Sequence, residues 1–266
     1  MLTALASRRM LGGLALALAF AAACILLGRW QWSRYEDRQV RAEAVTIHYA
    51  AAPVPLASVT SRLPLSEEDQ WLRVTANGRY APSQQLLVRN RSLDGKPGLE
   101  VLVPFDLSGA QTGSRIFVDR GWVANADSAA DLPQVPPPPN GEVTVEGWIR
   151  TGEPDLGKAL PTGQLASIDL AAAAEQAGGG QVLDAYLVLG SEQAGGGAPE
   201  PRPEPLAAPD TDLGPHQAYA FQWWLTSAFG FVLLGYRLRL AAAERRETTT
   251  AVPKPKKVRI WDEEDA

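Results

Sequence analysis

Two long uncharged stretches, one near each end of the chain, constrain the fold more than anything between them. Met10 to Gly28 reads MLGGLALALAFAAACILLG, with no charge between Arg9 and Arg29. A bilayer core of about 30 Å takes roughly 20 residues of helix. The second stretch lies between Asp212 and Arg237 and reads LGPHQAYAFQWWLTSAFGFVLLGY. Its helical part is predicted to run from near Gln217 to near Tyr236. In hydrocarbon every backbone N–H and C=O must be bonded within its own segment, so helix is the expected state of both stretches. The first has a rival reading as a cleaved export signal. Ser7-Arg8-Arg9-Met10-Leu11 resembles a twin-arginine leader, and Ala21-Ala22-Ala23-Cys24 resembles a lipoprotein cleavage site. The apolar run is longer than the roughly 7–15 residues of a signal core and continues into Ile25-Leu26-Leu27, so a retained anchor is expected.

Two spans place both termini on one side. Arg8 and Arg9 precede the first span, and Arg237, Arg239, Arg245, Arg246, Lys254, Lys256, Lys257 and Arg259 follow the second. The positive-inside bias therefore predicts a cell-membrane (inner or plasma membrane) protein with both termini cytoplasmic. Arg29, Arg34, Arg38 and Arg41 sit beyond the first span and argue the other way, but the basic tail outnumbers them. The expected organisation is a cytoplasmic N-terminus over 1–9, a first transmembrane helix over 10–28, an extracytoplasmic domain over 29–212, a second transmembrane helix over 213–236, and a charged cytoplasmic tail over 237–266 that is disordered from Ala241 onward.

Between the spans the pattern turns to β. WLRVTANGRY from Trp71 alternates, and QQLLVRNRS, LEVLVPFDL, SRIFVDRGWV, EVTVEGWIR and AYLVLG follow, bounded by Gly, Pro and Asn. Six such strands predict a mainly antiparallel domain, a small barrel or sandwich. One short helix is expected over Asp169 to Gln176, with Asp169 as N-cap before an alanine run. Pro133–Pro139 reads as a polyproline connector, and 191–210, rich in Gly, Pro and Ala, as a flexible linker.

Composition narrows the function. A formal net charge of −5 gives no basic signal for nucleic acid. Cys24 is the single cysteine and lies in an apolar run, which excludes an intrachain disulfide and any cysteine cage for a metal; it reads as a packed or lipid-facing small residue. There is no G-x-S-x-G elbow, Walker loop or dinucleotide fingerprint, so no enzyme is indicated.

His216 is the informative residue. It stands at the mouth of the second span, and on a helix starting there Tyr219, Ala220, Trp223 and Ser227 share its face. Such a stripe forms an interfacial anchoring belt, or an imidazole above flat aromatic surfaces suited to a haem. Arg34, Arg38 and Arg41 fall on one helical face beyond the first span, fit either for membrane lipid phosphates or for the anionic groups of such a ligand.

Short motifs in order along the chain carry a resemblance. They are Leu27-Gly28-Arg29-Trp30-Gln31 with Arg34, Gly78-Arg79-Tyr80, Val88-Arg89-Asn90-Arg91, Gly98, Val103-Pro104-Phe105, Val118-Asp119-Arg120-Gly121-Trp122-Val123, Gly147 to Arg150, and His216-Gln217-Ala218-Tyr219-Ala220-Phe221-Gln222-Trp223. Together they resemble the Surfeit locus protein 1 family, the Surf/Shy assembly factors of cytochrome c oxidase. The resemblance implies two transmembrane helices around an extracytoplasmic β domain and a role in bringing haem a to oxidase subunit I. It implies no catalysis. It places His216 at the position associated with haem a binding, as a ligand to haem iron; Tyr219, Trp223, Arg34 and Arg38, read from the helical faces, are the candidate residues around the cofactor, and haem A synthase is a further candidate partner. Arg120, Gly121 and Trp122 read as structural residues or as a partner-docking surface. Two other readings remain open: a scaffold that steadies oxidase subunits without touching haem, and an exported envelope binding protein. The proline connector, the 191–210 segment and the charged tail are not features of the family core.

Overall fold

The computed structural model describes residues 8–128, 131–195 and 201–250. They form two compact units: the residues up to Glu36 together with those from Gly214 onward, and Asp37–Leu213.

Helix α1 runs unbroken over Arg8–His48, 41 residues. At about 1.5 Å per residue it is ~60 Å long. The apolar run ends at Gly28, the expected boundary of the first span, but the helix continues past it. Residues 29–48 contain no Gly or Pro, and the first proline of the chain is Pro53, so nothing stops the helix earlier. The C-terminal helix, here α3, begins at His216 directly after Gly214-Pro215 and extends to Thr250. The tail expected to be disordered from Ala241 is thus helical through Thr250, carried by an alanine, glutamate and arginine run. Residues 251–266 of that tail lie outside the described residues.

Both helices are long and apolar enough to cross a membrane. They pack along a seam of small residues. Ala17, Ala21, Cys24 and Gly28 recur at i+4, i+3 and i+4 on α1 and are buried. Gly13 lies against Leu234, Ala17 and Phe20 against Gly230, and Gly28 against Trp224, so the two helices run antiparallel. Where neighbouring apolar side chains offer no hydrophobic gain, close backbone approach through Gly and Ala is what holds helices together. Cys24 belongs to this seam and is packed.

The second unit is a mixed sheet of β1 (Val54–Pro55), β2 (Arg73–Tyr80), β3 (Leu86–Leu93), β4 (Lys96–Leu107), β5 (Ser114–Ala124), β6 (Val143–Arg150), β7 (Gln164–Leu165) and β8 (Gln181–Ala194), with helix α2 at Leu170–Gln176. Strand β2 pairs with β6, β6 with β8, β8 with β5, β5 with β4, and β4 again with β2, so the pairings run round a ring. Three pairings are parallel: β1 with β2, β3 with β7, and β5 with β8. The rest are antiparallel. The parallel β5–β8 contact follows from the long crossover through β6 and α2, which a hairpin reading does not capture. A two-residue turn at Asp94-Gly95, with φ of 48° and 76°, joins β3 to β4 as the left-handed conformation of such turns requires.

Alternation sorts the strand residues onto two faces. Val74 and Ala76 of β2, Val101, Val103 and Phe105 of β4, Ile116 and Val118 of β5, Val143 and Val145 of β6 and Leu187 of β8 share one core. Leu102, Phe117, Tyr186 and Val188 point to the other face and pack with Leu165, Ile168 and Ala173. Each such aliphatic burial is worth about 1.5–3 kcal/mol. Asp169 caps α2 as expected, its carboxylate accepting from the N–H groups of Ala171 and Ala172 at 2.8 and 2.9 Å.

The 191–210 segment departs from a flexible linker. Ser191–Ala194 continue β8 and pair with Val143–Glu146 of β6. Further on, Glu204 bonds the Trp122 backbone in both directions, at 2.8 and 2.9 Å, and Arg202 donates to the Gly190 carbonyl at 2.8 Å. Residues 196–200 of the segment lie outside the described residues. Just past α1, the Tyr49 ring stacks on Trp148 at 4.2 Å and 1°, and the Trp148 indole donates to the Tyr49 carbonyl at 2.9 Å.

Candidate functional site

Two groups of side chains stand out, one in each unit. In the helix pair, His216 opens α3, and its Nδ1 lies 2.8 Å from the side-chain oxygen of Gln31 on α1. The imidazole is half-buried, and its Nε2 has no hydrogen-bond partner among the described residues. Beside this contact Gly28 leaves room for the Trp224 indole: a Cβ there would fall 2.2 Å from Nε1. Trp32 meets Trp224 at 5.7 Å and Phe221 edge-on at 6.0 Å, and Phe221 meets Trp224 at 5.6 Å. Such tilted and edge-on pairs each add about 0.5–1.5 kcal/mol.

The face expected below His216 is retained in part: Ser227 is half-buried like His216. Ala220 is fully buried, but Trp224 rather than Trp223 packs on α1; Trp223 is half-buried and Tyr219 is 46% exposed. The basic row is divided as well. Arg34 sits over the Trp30 ring at 5.9 Å in the helix pair. Arg38 and Arg41 belong to the sheet unit, where Arg38 donates to the Asp212 carbonyl at 3.1 Å and Arg41 pairs with Glu67 at 3.4 Å. Sequence alone assigns Gln31, Trp32, Phe221 and Trp224 no site role, although Gln31 and Phe221 fall within its motifs. The readable signal was Gln31 itself, an amide set between two tryptophans.

In the sheet unit Arg120, Gly121 and Trp122 are internal. Arg120 is 1% exposed and clamps Glu192 with two bonds, of 2.7 and 3.2 Å. It also donates to the Pro136 and Pro137 carbonyls at 2.9 and 3.4 Å, which ties the proline connector to the sheet. Tyr80 donates to the same Glu192 at 2.7 Å; burial, then Glu192, push its hydroxyl well above the usual tyrosine range. Gly121 adopts φ +125°, and a Cβ there would meet the Glu204 carbonyl at 2.4 Å. Trp122 is 4% exposed, and its indole donates to the Arg91 carbonyl at 3.2 Å. These contacts bury both side chains within the sheet unit, where they hold Glu192, the proline connector and the Arg91 backbone.

A second buried charge group lies alongside. Asp119 is 1% exposed and accepts from the Gly121 N–H at 3.1 Å. Burial, reinforced by Glu100, pushes its carboxyl well above the usual aspartate range. Burial likewise raises Glu100, although Arg91 lies 2.9 Å away. Burial acts on Glu153 in the same direction, but hydrogen bonds from Arg91 and the Ile168 N–H outweigh it and hold Glu153 below the usual range. No group of His, Cys, Asp and Glu suited to a metal ion occurs among the described residues.

The described residues thus form a pair of long apolar helices, one near each end of the chain, with a mixed-sheet domain inserted in the sequence between them. The chain belongs to the SURF1 family, whose model matches residues 18–228. Members of that family are in general cytochrome oxidase assembly factors and are not known as enzymes. An uncharacterised SURF1-like protein of Mycobacterium tuberculosis is 32% identical over 92% of this chain and 90% of its own length, and one of Mycobacterium bovis matches equally. A SURF1-like protein of Dictyostelium discoideum is 30% identical over 37% of this chain and 38% of its own length.

Proposed function

We propose that this protein is a membrane-embedded assembly factor that holds haem a at His216 and passes it to cytochrome c oxidase subunit I, with haem A synthase as the supplier. In this reading α1 and α3 cross the cell membrane, both termini are cytoplasmic, and the sheet unit is a small extracytoplasmic barrel. The observation that supports it best is the half-buried His216, whose Nδ1 is engaged by Gln31 and whose Nε2 is left without a partner. A neutral imidazole with an open nitrogen fits an axial position on haem iron, and the indoles of Trp32 and Trp224 with the Phe221 ring offer flat apolar surface for a macrocycle. When bound, haem a would supply the redox-active iron. His216 would hold it, the Trp32, Phe221 and Trp224 side chains would exclude water, and the Arg34 guanidinium would take a propionate. Tyr219 and Trp223 lie on the same stretch of α3 and would complete the cofactor's surroundings. Arg38 is left out of the pocket, because its guanidinium is already engaged by the Asp212 carbonyl.

The test is a reduced-minus-oxidised absorption spectrum of membranes from a strain lacking this gene, complemented with the parent or His216→Ala chain. The a-type band is expected to weaken in the deletion and to return only with the parent. Full restoration by His216→Ala would sink the haem-carrier reading and leave a scaffold for oxidase subunits. An unchanged band in the deletion would remove the oxidase role.

A further inference from the structure

We infer that Gln31 is a positioning residue: its side-chain oxygen fixes His216 as the Nδ1–H tautomer and so makes Nε2 the lone-pair nitrogen that faces a ligand. A carboxamide oxygen only accepts, so the 2.8 Å contact with Nδ1 requires the imidazole proton to sit there. A neutral imidazole carries one ring proton, so Nε2 is then bare, and it has no partner among the described residues. Histidine side chains in water favour the opposite tautomer, with the proton on Nε2. The contact with Gln31 therefore selects a form that an unrestrained His216 would populate less.

The geometry around the pair keeps the contact in place. Gln31 and His216 are 185 residues apart and meet only because α1 and α3 pack. One turn before Gln31, Gly28 receives the Trp224 indole, and next to it Trp32 packs on Trp224 and Phe221. These contacts set the helix register, and the register sets the Nδ1–Oε1 distance. A hydrogen bond to the rear nitrogen of a ligating histidine also raises the basicity of the front one. Gln31 is in that position for any metal centre His216 serves.

The part of the inference that concerns haem rests on the function proposed above; the tautomer does not. The experiment therefore reads both. The full chain in nanodiscs, with ¹⁵N-labelled histidine, carries only His48 and His216, and His216→Ala assigns the two rings. The parent is expected to show Nδ1 protonated and Nε2 bare at His216, and Gln31→Leu to shift the ring toward the Nε2–H form while His48 stays unchanged. An Nε2–H ring in the parent, or a ring indifferent to Gln31→Leu, overturns the inference. Haem is then titrated into the same samples. Gln31→Leu is expected to weaken binding by about 10–100-fold, and Gln31→Glu to restore it with a lower midpoint potential. Equal affinity in the parent and Gln31→Leu overturns the positioning role. A parent chain with the Nδ1–H ring that binds no haem supports the tautomer assignment and removes the haem reading alone.

Discussion

Gly28-Arg29-Trp30 and Arg120-Gly121-Trp122 use the same three residue types and put them in opposite surroundings. In the first, the glycine is buried under Trp224 while Arg29 and Trp30 are exposed, Trp30 by 52%. In the second, arginine and tryptophan are 1% and 4% exposed and every polar atom they use is answered within the fold. The residue types alone fix neither role. In the helix pair a glycine makes room for a neighbouring helix; in the sheet unit it turns the backbone so that two large side chains on either side can be inserted. An arginine near a tryptophan reads as a binding surface in a sequence, yet here one pair is inserted into the fold and the other is exposed, with Arg34 over the Trp30 ring.

The largest expected effect breaks the buried side of this comparison. Arg120→Met leaves Glu192 buried without its partner and frees the Pro136 and Pro137 carbonyls. A loss of about 3–5 kcal/mol is expected, read from the denaturant midpoint of the full chain. A change within about 0.5 kcal/mol, the range of ordinary surface substitutions, would mean that the clamp carries no stability.

Next in size are the two glycines. Gly121→Val forces a branched side chain into φ +125° against the Glu204 carbonyl and is expected to cost about 1–3 kcal/mol. Gly28→Val intrudes on an indole rather than on backbone. It is expected to alter the tryptophan fluorescence of the helix pair while leaving the sheet unit's unfolding midpoint in place. Equal effects on that midpoint would erase the distinction drawn between them.

Asp119 sharpens the comparison through pH. Its raised folded value means that the fold holds a proton which the unfolded chain releases. That contribution is fully present below the ordinary aspartate value of about 3.9 and is lost as pH rises through the higher folded value. Glu100 has the same sign. Asp119→Asn retains an acceptor for the Gly121 N–H and removes the titration. The decline in unfolding temperature as pH rises above the ordinary aspartate value is expected to be shallower in the variant; parallel curves would show that Asp119 holds no proton in the fold beyond the one the unfolded chain holds.

The smallest effect belongs to the exposed side. Arg29→Met and Trp30→Ala are each expected to stay within about 0.5 kcal/mol of the parent. A larger loss in detergent-solubilised chain would place them in the architecture too.

Much of this could be read in the residues. Six strands fall where alternation placed them, and Asp169 caps the helix it was assigned, because those signals are local: a period of two, a turn residue, an acceptor before an alanine run. What escaped is non-local. The β5–β8 pairing joins strands separated by β6 and α2. The continuation of α1 to His48 was legible in the absence of proline before Pro53, but the end of the apolar run at Gly28 masked it. Trp224 rather than Trp223 packs on Gly28 because the contact face depends on how the helices cross, which no single-helix period specifies. Gln31 and His216 carry no mutual signal in sequence at all.

The ring of pairings has one more consequence. Sheet-forming partners commonly recruit one another by adding a strand to a free edge, and the same exposed edge is what seeds aggregation. Here the chain of strands ends in β1 and β7, two residues each, and β1 includes Pro55, which has no N–H to offer. Beyond the last residues of β3, little backbone is open to an incoming strand. Among the described residues the sheet unit therefore offers an incoming strand little to pair with, and the edge that would seed aggregation is short.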